Sequence, residues 1–126
     1  MRARESIFMN KTNLGQIGET LAAKYLTKKG YRIIEQNFRI RGGEIDIIAI
    51  DGITLVYVEV KTRTGNQFGY PEEAVTPQKI KFLERAAKFY RLKRKNLPDL
   101  ERIDVLALDL SSHDNPKFTL FKNASF

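Results

Sequence analysis

The chain has no cysteine and one histidine, His113, among its 126 residues. Without cysteine there are no disulfides, no zinc–thiolate site and no thiol nucleophile, which suits the reducing cytoplasm. A lone histidine in a polar turn argues against a histidine triad or a histidine metal cluster. No stretch approaches the ~20 apolar residues that span a bilayer. The opening Met1-Arg2-Ala3-Arg4-Glu5-Ser6-Ile7-Phe8 is basic but lacks the apolar segment of a signal peptide. Residues 1–12 are therefore expected to be a flexible N-terminal segment, with Met9 as an alternative start, and 13–126 to form one domain. Repeats, low-complexity tracts and linkers are also missing.

What remains is an ordinary globular composition, 42% hydrophobic and 29% charged. A chain of this size builds a single core that buries roughly two-thirds of the unfolded surface. Twenty-two lysines and arginines against 15 acids leave a net charge of +7. That balance favours an anionic partner, nucleic acid before an anionic membrane.

Periodicity divides the chain into seven elements. Asn13 with Gln16 forms a capping-box pattern, and Leu14, Ile17, Leu21, Tyr25 and Leu26 recur at helical spacing until Gly30. Residues 31–38 read as a strand, followed by the basic bend Arg39-Ile40-Arg41-Gly42-Gly43. Strands at about 44–50 and 53–61 flank Asp51-Gly52, a two-residue hairpin signal. Residues 62–71 read as a loop carrying Phe68 and Tyr70. Thr76-Pro77 marks the start of a helix running to about Lys95. Residues 102–110 and 117–121 complete the pattern as strands. The order α-β-β-β-α-β-β implies an α/β fold with a mixed sheet and helices packed on it.

The hairpin carries the chemistry. With Asp51-Gly52 as the turn, Ile50 pairs with Ile53, Asp46 faces Tyr57 and Glu44 faces Glu59. Strand alternation then puts Glu44, Asp46, Tyr57, Glu59 and Lys61 on one face, with Ile45, Ile47, Ala49, Val56, Val58 and Val60 on the other. Asp46 and Glu59 become diagonal neighbours, roughly 7–8 Å apart at the backbone. Toward the turn both faces are apolar, so the acids gather at the mouth of a core. Desolvating them costs several kcal/mol each unless something compensates. A Mg2+ or Mn2+ ion would do so, held by Asp46, Glu59 and the Val60 backbone carbonyl. Such an ion polarises a phosphate and lowers the pKa of water, with Lys61 placed to orient that water or neutralise the phosphate. The plainer reading is an ion pair from Lys61 to Glu59 or Glu44 on an exposed sheet end.

Asp46, twelve residues, then Glu59-Val60-Lys61 resembles the PD-(D/E)xK nuclease motif. A wider string strengthens this: Gly15-Gln16-Ile17-Gly18-Glu19, Arg41-Gly42-Gly43-Glu44-Ile45-Asp46-Ile47-Ile48, Val58-Glu59-Val60-Lys61-Thr62-Arg63 and Arg102-Ile103-Asp104-Val105. In that order it resembles the YraN-type family of small bacterial proteins, related to archaeal Holliday-junction resolvases, over about residues 13–121. One departure is Ile45 in place of the motif's proline. The resemblance implies a restriction-endonuclease-like, three-layer α/β/α core around a central mixed β-sheet, making 13–126 a single nuclease-like domain. It also implies that Glu19, from the first helix, joins the metal and catalytic set of Asp46, Glu59 and Lys61. By the same resemblance Gln78, early in the second helix, is a further catalytic residue. Asp104 is expected to be a structural partner of Arg102.

Nucleic acid is expected to meet Arg39, Arg41 and Arg63 around this site, and Lys81 and Arg85 on the second helix. Phe68 and Tyr70 are expected to pack on their own domain rather than stack on bases. The expected function is a divalent-metal-dependent nuclease, acting on DNA in preference to RNA and selective for branched or damaged forms in repair or recombination. A homodimer would suit junction cutting, though no residue pattern specifies it, and no membrane partner is expected. The competing functions are a non-catalytic nucleic-acid-binding module and a protein-interaction component on the same fold.

Overall fold

The computed structural model describes residues 11–65, 75–112 and 114–124. Residues 1–10, Phe68, Tyr70 and His113 lie outside them, as do the expectations placed on them. The elements are α1 (Lys11–Lys28), β1 (Arg32–Ile40), β2 (Gly43–Asp51), β3 (Thr54–Arg63), α2 (Pro77–Leu92), β4 (Leu100–Asp109) and β5 (Lys117–Phe121). Their order is the one expected from sequence. The first four strands shift by one or two residues at their bounds, and each helix differs at one end. α1 begins at Lys11, so Asn13 and Gln16 lie inside the helix rather than capping it; neither Lys11 nor Thr12 is a helix breaker. α2 stops at Leu92, short of Lys95.

The five strands lie in the order β1-β2-β3-β4-β5. Only β3 and β4 run parallel; the other neighbours are antiparallel. A parallel pair needs a crossover, and α2 supplies it. Thr76 starts that helix: its hydroxyl accepts the Lys79 N–H at 3.1 Å, and Pro77 follows at the first position. α1 buries Ala22 and Leu26 against Ile47, Ala49, Val56 and Val58 on one face of the sheet. α2 buries Ile80, Leu83, Ala87 and Tyr90 against Ile48, Leu55 and Tyr57 on the other. The architecture is thus a three-layer α/β/α core. β3 is covered on both faces, which explains its nearly unbroken apolar run.

The hairpin turn is Gly52-Ile53, not Asp51-Gly52. Asp51 pairs with Thr54, Ile50 with Leu55 and Ile48 with Tyr57. Gly52 takes a φ of +63°, as a two-residue turn with glycine at its first central position requires. Continuing this register sets Asp46 across from Glu59 rather than diagonal to it, although paired residues end at Ile47 and Val58.

A second correction concerns alternation. Ile47 and Ala49 share one buried face, as expected, and pack under α1, but Ile45 packs under α2 with Ile48. The pleat therefore inverts at Asp46. Across from that point on β1, Asn37 adopts a left-handed φ of +53°, a conformation that asparagine tolerates better than β-branched residues do. Sheet irregularities of this kind re-aim side chains and often lie beside functional sites.

On β4, in register with Val58, Asp104 is fully buried and fully partnered. Arg102 Nε donates to its Oδ1 at 2.9 Å, and Tyr31 Oη donates to its Oδ2 at 2.7 Å. The Asn123 N–H also donates to Oδ1, at 2.9 Å, and Arg102 reaches Asp51 at 2.6 Å. The expected pairing of Asp104 with Arg102 is therefore present, within a larger network.

α1 lies very close to β3 at Gly18. A Cβ there would come within 2.0 Å of the Thr62 hydroxyl. Gly18→Ala should accordingly destabilise the protein by about 1–3 kcal/mol, as overpacking usually does. The loss in denaturant unfolding should shrink on a Thr62→Ala background, which removes that hydroxyl; equal loss on both backgrounds would show that the contact is not the cause.

Candidate metal centre at the end of the sheet

Beyond Ile47 and Val58 the strands β2 and β3 open, and the acids collect in that opening. The Val60 N–H donates to Asp46 Oδ2 at 2.8 Å, so the side chain of Asp46 takes the place of a ladder partner. The N–H and C=O of one strand residue face the same neighbour, which leaves the Val60 carbonyl on the same edge. Beyond the inverted pleat, Glu44 meets Glu19 of α1. One carboxylate oxygen from each of Glu19, Glu44 and Asp46 lies within 4.8 Å of the others.

Asn37 and Arg39 hold this group from β1. The Asn37 amide donates to Glu19 and reaches Glu44 Oε2 at 3.5 Å. Arg39 Nε donates to the same Glu44 oxygen at 3.2 Å. Close approach at Gly18 sets the depth of α1 and thereby the position of Glu19.

Glu59 borders the group from β3. It is only 6% exposed, and its Oε1 is buried without a hydrogen-bond partner. Its Oε2 lies 3.4 Å from Lys79 Nζ in the first turn of α2. Burial, followed by the charge of Glu59, pushes Asp46 up from 3.8 to about 8; the Val60 N–H opposes this, while a proton shared in a hydrogen bond with Glu59 and then the charge of Glu19 add to it. An orphaned buried oxygen beside three converging carboxylates suits a hard divalent cation with oxygen ligands. Glu19, Glu44, Asp46 and Glu59 would hold it, with the Val60 carbonyl.

The other residues singled out from sequence are placed as follows. Lys61 is exposed, with no carboxylate partner among the described residues. The ion pairs that the plainer reading gave to Lys61 are made by other residues: Lys79 pairs with Glu59 and Arg39 with Glu44. Gln78 is exposed, and its neighbour Lys79 is the residue that reaches the acids. Arg41 is exposed in the β1–β2 turn beside Gly42, against which Arg85 lies. Arg85 also stacks over Phe82, 5.3 Å from the ring centroid. Arg63 turns toward Asp109 at 3.9 Å, and Lys81 is exposed on α2.

Sequence reasoning missed Asn37 and Lys79 and left Glu44 without a role. An asparagine inside an otherwise β-forming segment was the available signal for the first. Lys79 carried none, since its partner comes from another element.

A three-layer α/β/α protein with carboxylates gathered at the carboxyl end of a parallel strand places its polar centre where open α/β sheets usually bind ligands. Residues 18–108 match the uncharacterised protein family UPF0102, and the chain belongs to this family, the YraN-type family. A UPF0102 protein of Chlorobium limicola is 50% identical over 109 residues, covering 86% of this chain and 84% of its own. One from Geobacter sulfurreducens is 50% identical over 112 residues, covering 88% and 87%. A third, from Caldicellulosiruptor saccharolyticus, is 43% identical and covers 92% and 99%.

The raised Asp46 predicts a pH dependence of defined sign. Between its ordinary value of 3.8 and about 8, the folded chain holds a proton that the unfolded chain releases, so stability falls as pH rises through this window. Asp51 and Asp109 are held low and titrate below it. The melting temperature of cation-free protein should drop from pH 5 to pH 8, and Asp46→Asn should flatten the slope. Added Mn2+ should restore stability at pH 8; a parent and variant with the same slope would refute the assignment.

Proposed function

We propose that the protein is a divalent-metal-dependent nuclease that hydrolyses phosphodiester bonds in DNA. The observation carrying this reading is the convergence of Glu19, Glu44 and Asp46 beside a buried Glu59 with an orphaned oxygen. A net charge of +7 supports an anionic substrate. Mg2+ or Mn2+ at this position supplies Lewis acidity toward the phosphate and makes water a stronger acid.

The chain's own residues divide the remaining work. Asp46, Glu59, Glu19 and the Val60 carbonyl are the proposed ligands, and Glu44 joins them. Lys61, exposed at the end of β3, is free to orient the attacking water or to neutralise charge on the phosphate. Gln78, in the first turn of α2, is the remaining proposed catalytic residue. Arg39, Arg41, Arg63, Lys81 and Arg85 engage backbone phosphates. In the reaction the water oxygen bonds to phosphorus, the bond from phosphorus to the leaving sugar oxygen breaks, and that oxygen takes up a proton. Branched or damaged DNA is the proposed substrate, in repair or recombination, and a homodimer is the proposed assembly on a four-way junction.

The test is cleavage of supercoiled, single-stranded, flapped and four-way-junction DNA in Mg2+ and then Mn2+. The parent should cut at least one of these forms. Asp46→Ala and Glu59→Ala should reduce cutting by about 100-fold or more, beyond the loss typical of residues that only support a ligand. A well-folded parent that cuts none of these DNA forms, nor single-stranded or duplex RNA, with either ion would sink the proposal.

A further inference from the structure

The cation seated on Glu59 comes from α2, not from the strand that carries Lys61. Lys79 Nζ lies 3.4 Å from Glu59 Oε2, while Glu59 Oε1 has no partner. The ammonium thus reaches only one of the two Glu59 oxygens and leaves the other facing Asp46 and the remaining acids. The backbone of Lys79 is fixed by the Thr76 cap, but its side chain is 29% exposed. Its ammonium also lies 5.3 Å from the centroid of Phe82, whose ring carries Arg85 at 5.3 Å and packs beside Gly43. The head of Lys79 therefore sits between the buried acid and a basic surface formed by Arg85 and the β1–β2 turn.

We propose that Lys79 is an exchangeable counter-ion. It neutralises Glu59 in the cation-free protein, yields that carboxylate to a divalent cation, and then turns its ammonium to a phosphate of bound nucleic acid. This rests on the metal-dependent nuclease reading above. Two cations on one buried carboxylate repel strongly in a medium of low dielectric constant. The ammonium is thus displaced outward, along a flexible stem already lying over Phe82. A fixed structural ion pair would behave differently, because its loss would weaken cation binding and DNA binding together or leave both unchanged.

The test uses full-length Lys79→Met, which keeps the apolar stem, with Lys79→Gln as a second neutral variant and Lys79→Arg as the charge-retaining control. Mn2+ affinity is measured calorimetrically without DNA. Binding of a duplex and a four-way junction is measured by fluorescence anisotropy across a salt series, with Ca2+ or with chelator. The neutral variants should bind Mn2+ about tenfold tighter, since a competing positive charge has gone. Their DNA affinity in Ca2+ should fall, with the salt slope reduced by about one phosphate contact. In chelator their DNA affinity should equal the parent's, and Lys79→Arg should restore binding in Ca2+. A parent that binds Mn2+ while folded neutral variants bind it equally or more weakly overturns this proposal alone. A parent that takes up no Mn2+ overturns the nuclease reading and this proposal with it.

Discussion

The site depends on one backbone bond that two strands do not make with each other. At Val60 the N–H donates to the side chain of Asp46 instead of to a carbonyl of β2. That substitution ends the ladder, opens a gap at the end of the sheet between two interior strands and fixes the Asp46 carboxyl there. On one side of it stand Glu19 and Glu44, on the other Glu59 and Lys79. None of these acids alone is unusual. Their crowding is, because burial and then neighbouring negative charge disfavour ionised Asp46.

The rest of the fold brings the participants to that gap. Gly18 lets α1 approach β3 at Thr62, which brings Glu19 within reach of Asn37 on β1 and of Glu44 and Asp46 on β2. The parallel pairing of β3 and β4 requires α2 to cross the sheet, and its first turn then lies over the end of β3. On the neighbouring strand β4, Asp104 and Arg102 show how the same fold treats a buried charge that needs no ligand. There each Asp104 oxygen has donors, and the network closes on itself. The contrast between a saturated acid and an unsaturated one separates a structural role from a binding role.

Much of this was legible in the residues. The element order followed from helical and strand periodicity, and the Thr76-Pro77 start of α2 from capping chemistry. Placing Asp46 and Glu59 together needed only the parity of the hairpin, which survived an error in the turn because the shift preserved faces. The turn itself was misread because Asp51-Gly52 and Gly52-Ile53 are both acceptable two-residue loops, and only the pairing of Asp51 with Thr54 decides between them. Strict alternation failed at Ile45, since a pleat inversion is a property of two strands and no single-strand pattern encodes it. Glu44 was consequently seen near the site but not joined to Glu19, and Lys79 was invisible because a crossover, not a local spacing, delivers it.

The distortion of β1 has a consequence for the protein's behaviour in a crowded solution. β1 is an edge strand, and a long regular edge offers unpaired backbone groups as a template for other chains. A register shift between Ile33 and Glu35 and the left-handed Asn37 interrupt that template twice. The other edge, β5, is short and begins with Lys117. The irregular backbone that gathers carboxylates on the inner side of β1 thus makes its outer side a poor seed for edge-to-edge aggregation.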